Sequence, residues 1–141
     1  MNKRVTRKER AEVTERANGY CEYCLSPASF ATQSFSVEHI HPRGRGGDNA
    51  LDNLAFACQG CNGAKLAKTT GYDAFTKTMV SLYHPRQQRW GDYFAWSDDF
   101  LRIVGLTSVG RASIHEMKMN REPLKNLRMA LCAIGQHPPK I

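Results

Sequence analysis

Cys21-Glu22-Tyr23-Cys24 and Cys58-Gln59-Gly60-Cys61 bracket a stretch that contains Glu38-His39-Ile40-His41-Pro42-Arg43-Gly44-Arg45-Gly46-Gly47, and these three segments decide the fold. Two Cys-x-x-Cys pairs suit two knuckles that close one tetrahedral metal site from the two ends of a loop. A zinc ion held by Cys21, Cys24, Cys58 and Cys61 has all four positions filled by thiolates, so no reactive water fits and the ion is expected to be structural. Such a site contributes on the order of 10 kcal/mol in small peptides, comparable to the whole stability of a domain. Buried apolar cysteines at chance spacing, or a redox dithiol, explain two matched pairs less well. The fifth cysteine, Cys132, falls on an apolar helical stripe and is expected in the core.

Between the knuckles, residues 34–40 alternate polar and apolar as a half-buried strand does, and the pattern breaks at Pro42. Residues 43–50 are glycine-rich and basic and read as a loop. Leu54-Ala55-Phe56-Ala57 reads as a second strand, and residues 59–68 as a helix with Lys65 and Lys68 near its C-terminal end. Strand alternation sends Glu38 and His39 to opposite faces unless the backbone bends, so a kink near Ile40-His41-Pro42 is expected.

Upstream, residues 6–17 suit a short polar helix that Asn18-Gly19 stops. Downstream of Gly71 the composition turns aromatic and apolar. A helix is expected over 73–82, then strands at 93–96 and 101–106 joined by a turn at Ser97-Asp98-Asp99. Thr107 or Ser108 would cap a helix running to about Met119, and Leu124, Leu127, Leu131 and Ile134 repeat at helical spacing up to Gly135. Trp90, Tyr93, Phe94 and Trp96 are read as core aromatics in preference to a base-stacking surface. The whole is an α+β chain, divided for description into residues 1–70 and an extension, 71–141, packed on them as one compact unit.

Length and charge agree with this reading. The chain has 141 residues, and its net charge of +7 favours a polyanionic partner, although the basic excess is spread along both halves. No apolar run is long enough to span a bilayer, and the basic stretch from Met1 to Arg10 lacks the apolar segment of a secretory signal. A cytoplasmic protein is expected.

The segments Glu38-His39-Ile40-His41-Pro42, Gly46-Gly47, Asn53-Leu54 and Cys58-Gln59-Gly60-Cys61-Asn62-Gly63-Ala64-Lys65 together resemble the HNH endonuclease family over about residues 18 to 68. The resemblance implies a ββα-metal (His-Me finger) core and a metal-dependent hydrolysis of DNA phosphodiester bonds, with RNA also open as a substrate. It assigns His39 as general base, aimed by a hydrogen bond from its other ring nitrogen to Asn53. It assigns Glu38 and Asn62 as ligands of a catalytic Mg²⁺ or Mn²⁺ ion, whose shell water and phosphate would complete. Many members carry His in place of Asn62 and Asp in place of Glu38, which bears on metal preference. His41 is open between a phosphate contact, an auxiliary ligand and an ordinary exposed histidine. Arg43, Arg45 and Lys65 are open between nucleic-acid contacts and solvated side chains. Segments within residues 82–120 resemble the C-terminal extension found on one group of bacterial HNH proteins. The reading from a different class is a zinc-knuckle module that binds nucleic acid without cutting it, indifferent to Glu38, His39 and Asn62.

Overall fold

Thr6 starts the first helix by a reciprocal capping box: its hydroxyl accepts from Glu9 N at 3.1 Å, and the Glu9 carboxylate accepts from Thr6 N at 2.8 Å. The computed structural model describes residues 4–140; Met1 to Lys3, which open the basic N-terminal stretch, and Ile141 lie outside the described residues. Helix α1 (Arg7–Arg16) ends where Asn18 and Gly19 take positive φ values of 54° and 76°, as the Asn-Gly pair predicts. Val13 is its buried residue, and the Arg16 guanidinium donates to the Leu54 carbonyl.

Strands β1 (Ser36–His39) and β2 (Leu54–Ala57) pair antiparallel, with Glu38 opposite Ala55 and His39 opposite Leu54. The chain bends at Ile40 and His41, where the kink is expected, and enters a 3-10 turn at Arg43–Arg45. Gly47 closes this loop: a Cβ there would meet the His41 carbonyl oxygen at 1.8 Å, a backbone clash that no rotamer relieves. Helix α2 (Gln59–Lys65) follows β2 directly and stops three residues earlier than expected, because Leu66 turns to φ 52°.

Residues 73–82 do not form the expected helix. They lie mostly in an antiparallel hairpin, β3 (Thr70–Asp73) with β4 (Thr78–Ser81), in which Tyr72 faces Met79 and Asp73 faces Thr78. The Asp73 carboxylate accepts from Phe75 N, Thr76 N and the Thr76 hydroxyl, local bonds that compete with helix formation. Lys77 at φ 58° completes the turn, and Arg111, far along the chain, grips Asp73 with two 3.0 Å bonds.

Helix α3 (Trp90–Tyr93) is a single turn that delays the next strand by one residue, so β5 (Phe94–Trp96) pairs antiparallel with β6 (Ile103–Gly105). Thr107 caps α4 (Ser108–Met117) by accepting from Gly110 N at 3.0 Å. Helix α5 (Glu122–Ala133) buries Leu124, Arg128 and Leu131, whereas Ile134 beyond its end is exposed. Cys132 is only half-buried, so its expected core position is corrected: the stripe that meets the core passes through Leu124 and Leu131.

One apolar cluster joins Tyr23, Leu54 and Phe56 to Tyr83, Trp90, Phe94, Met117 and Leu124. Trp90 and Phe94 are buried, and Tyr93 and Trp96 pack partly buried against them, which is the core role expected of these aromatics. Trp90 Nε1 donates to the Tyr23 carbonyl at 2.8 Å, so the ring buries its area without orphaning its N–H. Among the described residues no helix is long and apolar enough to cross a membrane.

Candidate active site

The two knuckles meet. The sulfurs of Cys21, Cys24, Cys58 and Cys61 are all buried and lie within 4.8 Å of one another, and those of Cys24 and Cys58 are 3.7 Å apart. Tetrahedral zinc with bonds of about 2.3 Å spaces its sulfurs by about 3.8 Å, so the four thiols are compatible with zinc. The first knuckle is fastened to β2 by Glu22, whose backbone N–H donates to Phe56 O and whose carboxylate accepts from Phe56 N, both at 2.8 Å. Arg86 pairs with the same carboxylate. Among the described residues these cysteines are the one group of three or more His, Cys, Asp or Glu side chains placed to hold a metal.

His39 ends β1 half-buried, and its Nε2 lies 2.7 Å from Asn49 Oδ1. An amide oxygen only accepts, so Nε2 is the donor in this contact, and in the neutral imidazole Nδ1 is then the nitrogen with the lone pair. The expected partner, Asn53, is elsewhere. Its Oδ1 accepts from His41 N at 2.8 Å, while its Nδ2 donates to His41 O at 3.0 Å and Asp48 O at 2.8 Å. Asn53 is buried and staples the loop over residues 41–48; the register that sets it opposite the bend spends all its side-chain bonds on backbone.

Glu38 points to the other face and is buried. Tyr23 Oη donates to its two carboxylate oxygens at 3.1 and 3.3 Å, and Lys65 Nζ stands 3.1 Å from Oε1. Burial pushes the Glu38 carboxyl up against the opposing pull of the Lys65 ammonium and the Tyr23 hydroxyl. Burial and the neighbouring Glu38 charge push the Tyr23 hydroxyl well up, which keeps it a donor. Lys65 is therefore corrected as a nucleic-acid contact: it is almost without solvent contact and also donates to Ile40 O at 3.0 Å.

An open depression of about 340 Å³ is lined by Glu38, His39, Pro42, Arg43, Asn62 and Leu66, among others. Asn62 reaches it from α2 half-exposed, its side-chain amide without a protein partner among the described residues. The Asn62 amide is thus an uncommitted oxygen donor on this depression, whereas the Glu38 carboxylate is buried with the Lys65 cation beside it. Arg43 lines the same depression, while exposed Arg45 donates through Nε to Ala67 O at 3.0 Å. His41 is exposed, and its Nε2 lies 2.7 Å from Arg45 O, a contact internal to the loop.

Sequence reasoning missed three residues. Asn49 sits in a glycine-rich loop where no periodicity reveals direction, Tyr23 inside a knuckle already explained by its cysteines, and Arg121 sixty residues from the sulfur it reaches. For Tyr23 a signal existed, since a large polar aromatic between two buried cysteines must find a partner for its hydroxyl.

The family model described as HNH endonuclease matches residues 21–68. A curated relative, the CRISPR-associated endonuclease Cas9 of Corynebacterium diphtheriae, is 39% identical over 57 residues, covering 40% of this chain and 5% of that protein. No solved structure gives a significant match. The knuckles, β1, β2 and α2 all fall inside the segment, residues 21–68, that is similar to the HNH endonuclease family.

Proposed function

We propose that the protein is a metal-dependent endonuclease that hydrolyses DNA phosphodiester bonds in the depression beside His39, on a core of the ββα-metal type. The observation that carries this reading is the His39–Asn49 contact of 2.7 Å, which occupies Nε2 and leaves Nδ1 of the neutral ring as the base. Nδ1 takes the proton of a water whose oxygen attacks phosphorus as the bond to the leaving oxygen breaks. Asn62 and Glu38 would hold a divalent ion, which when bound polarises the phosphate and stabilises the leaving oxyanion. Arg43, which lines the depression, would meet the phosphate backbone, and Asn53 holds closed the loop that leads into Asn49. Zinc on the four cysteines holds the two ends of this segment together.

The test is plasmid cleavage with Mg²⁺ or Mn²⁺, comparing wild type with His39→Ala and Asn62→Ala, and zinc content measured alongside. Removal of a general base is expected to lower the rate by about 10²–10⁴-fold. Undiminished cleavage by a clean His39→Ala preparation rejects the mechanism. One observation favours a second reading, a zinc-knuckle module that binds nucleic acid without cutting it: the Glu38 carboxylate is occupied by Lys65. Wild-type DNA binding with no cleavage under any divalent ion would select it.

A further inference from the structure

Arg121 stands between α4 and α5, and its guanidinium lies over the second knuckle. Nη2 donates to Cys58 Sγ at 3.3 Å and Nη1 to Cys61 Sγ at 3.6 Å. Nη1 also donates to Lys118 O at 3.1 Å, which accepts from Arg121 N as well, and approaches Met117 O at 3.5 Å, both at the end of α4. Gly60 makes room for it: a Cβ at that position would fall 2.3 Å from Nη2 and 2.5 Å from Cζ. The Gly inside the second Cys-x-x-Cys is thus explained by an arginine far along the chain.

Zinc with four thiolates carries a net charge of −2, and all four sulfurs here are buried. Charge held away from water costs free energy unless a counter-charge with matching hydrogen bonds is supplied. N–H···S bonds from a fixed cation place that counter-charge, with its hydrogen bonds, directly on the sulfurs. A lysine could supply the charge but not the planar fork that reaches two sulfurs and a carbonyl at once.

We infer that Arg121 is the counter-charge of the zinc–thiolate centre, and that through it zinc occupancy fastens the corner between α4 and α5 to the nuclease segment. Loss of its contacts to the sulfurs weakens zinc binding and loosens that corner together. This goes beyond the cleavage reading and stands whether or not the protein cuts DNA.

Two measurements on the full chain test it. Competition with a chromophoric chelator is expected to show zinc affinity lowered about 10–100-fold in Arg121→Gln, the range found when outer partners of metal ligands are removed. Gly60→Ala, which keeps the arginine but displaces its guanidinium, should lower it in the same direction. In the cobalt-substituted protein, Arg121→Gln should move the sulfur-to-metal charge-transfer band to lower energy. Arg128→Gln is the control: Arg128 is buried in the same half and bonds Leu101 O, Met119 O and Asn120 Oδ1, its charge near the sulfurs but with no hydrogen bond to any of them. It should destabilise the chain while moving the band less than Arg121→Gln does.

Wild-type zinc affinity in Arg121→Gln, or a band unmoved or shifted equally by Arg128→Gln, overturns the inference. If Arg121→Gln does not fold, Arg121→Lys and Gly60→Ala take its place, and wild-type affinity in Gly60→Ala overturns it equally.

Discussion

Lys65 Nζ and Glu38 Oε1 face each other at 3.1 Å with side-chain exposures of 2% and 5%, an ion pair between α2 and β1 sealed from water. Removing one partner of such a pair leaves a buried charge uncompensated. Lys65→Met should therefore cost about 3–5 kcal/mol. The double variant Glu38→Leu, Lys65→Met should recover most of that loss, because apolar residues of similar size often replace a buried pair at little cost. Urea unfolding of the three proteins decides it, and equal stability of wild type and Lys65→Met would show the pair to be solvent-screened.

Asn49 aims His39 through the 2.7 Å contact at Nε2. If His39 is the base, Asn49→Ala should lower kcat by tenfold or more, within the ~10²–10⁴-fold that a positioned base supplies, while KM changes little. Asn49→Asp should keep the aim but add a negative charge that favours imidazolium. The acid limb of its pH–rate profile should then move to higher pH. An Asn49→Asp profile that overlays wild type, with His39→Ala inactive, would place the aim of His39 in some other contact.

Asn53 makes three hydrogen bonds to the backbone of the 41–48 loop, to His41 N, His41 O and Asp48 O. Asn53→Leu should cost about 1–3 kcal/mol, since it leaves three partly buried backbone groups unpaired. Cleavage should fall with it, because the loop leads into Asn49. Differential scanning calorimetry checks the first expectation, and a variant as stable as wild type refutes the staple.

His84 Nδ1 accepts from Arg86 N at 3.2 Å and Gln87 N at 3.3 Å, so that nitrogen is unprotonated, and burial holds the imidazole below its usual pKa. A depressed histidine pKa means that its contribution to stability is present above the unfolded value of about 6.5. It is lost as pH falls through the lower folded value. Wild type should lose more stability between about pH 6.5 and pH 5 than His84→Asn, which retains an acceptor and cannot charge. Parallel pH dependences in urea titrations would remove His84 from the account.

Local sequence alone determined much of the scaffold. The knuckle spacing, the alternation leading to His39, the apolar run 54–57, the Asn18-Gly19 stop and the Thr107 cap each act within a few residues, where backbone preference and short-range bonding dominate. The hairpin at 70–81 escaped because its outer face is exposed and has no apolar period, and because its turn rests on Asp73 side-chain bonds reinforced by Arg111, 38 residues away. Tertiary structure alone decided which asparagine meets His39, that Lys65 faces Glu38 instead of solvent, and that Arg121 covers the second knuckle. Each is a choice of partner for a polar group. A polar side chain states in sequence that it needs a partner, but burial and chain crossing select the partner from everything brought within about 3 Å.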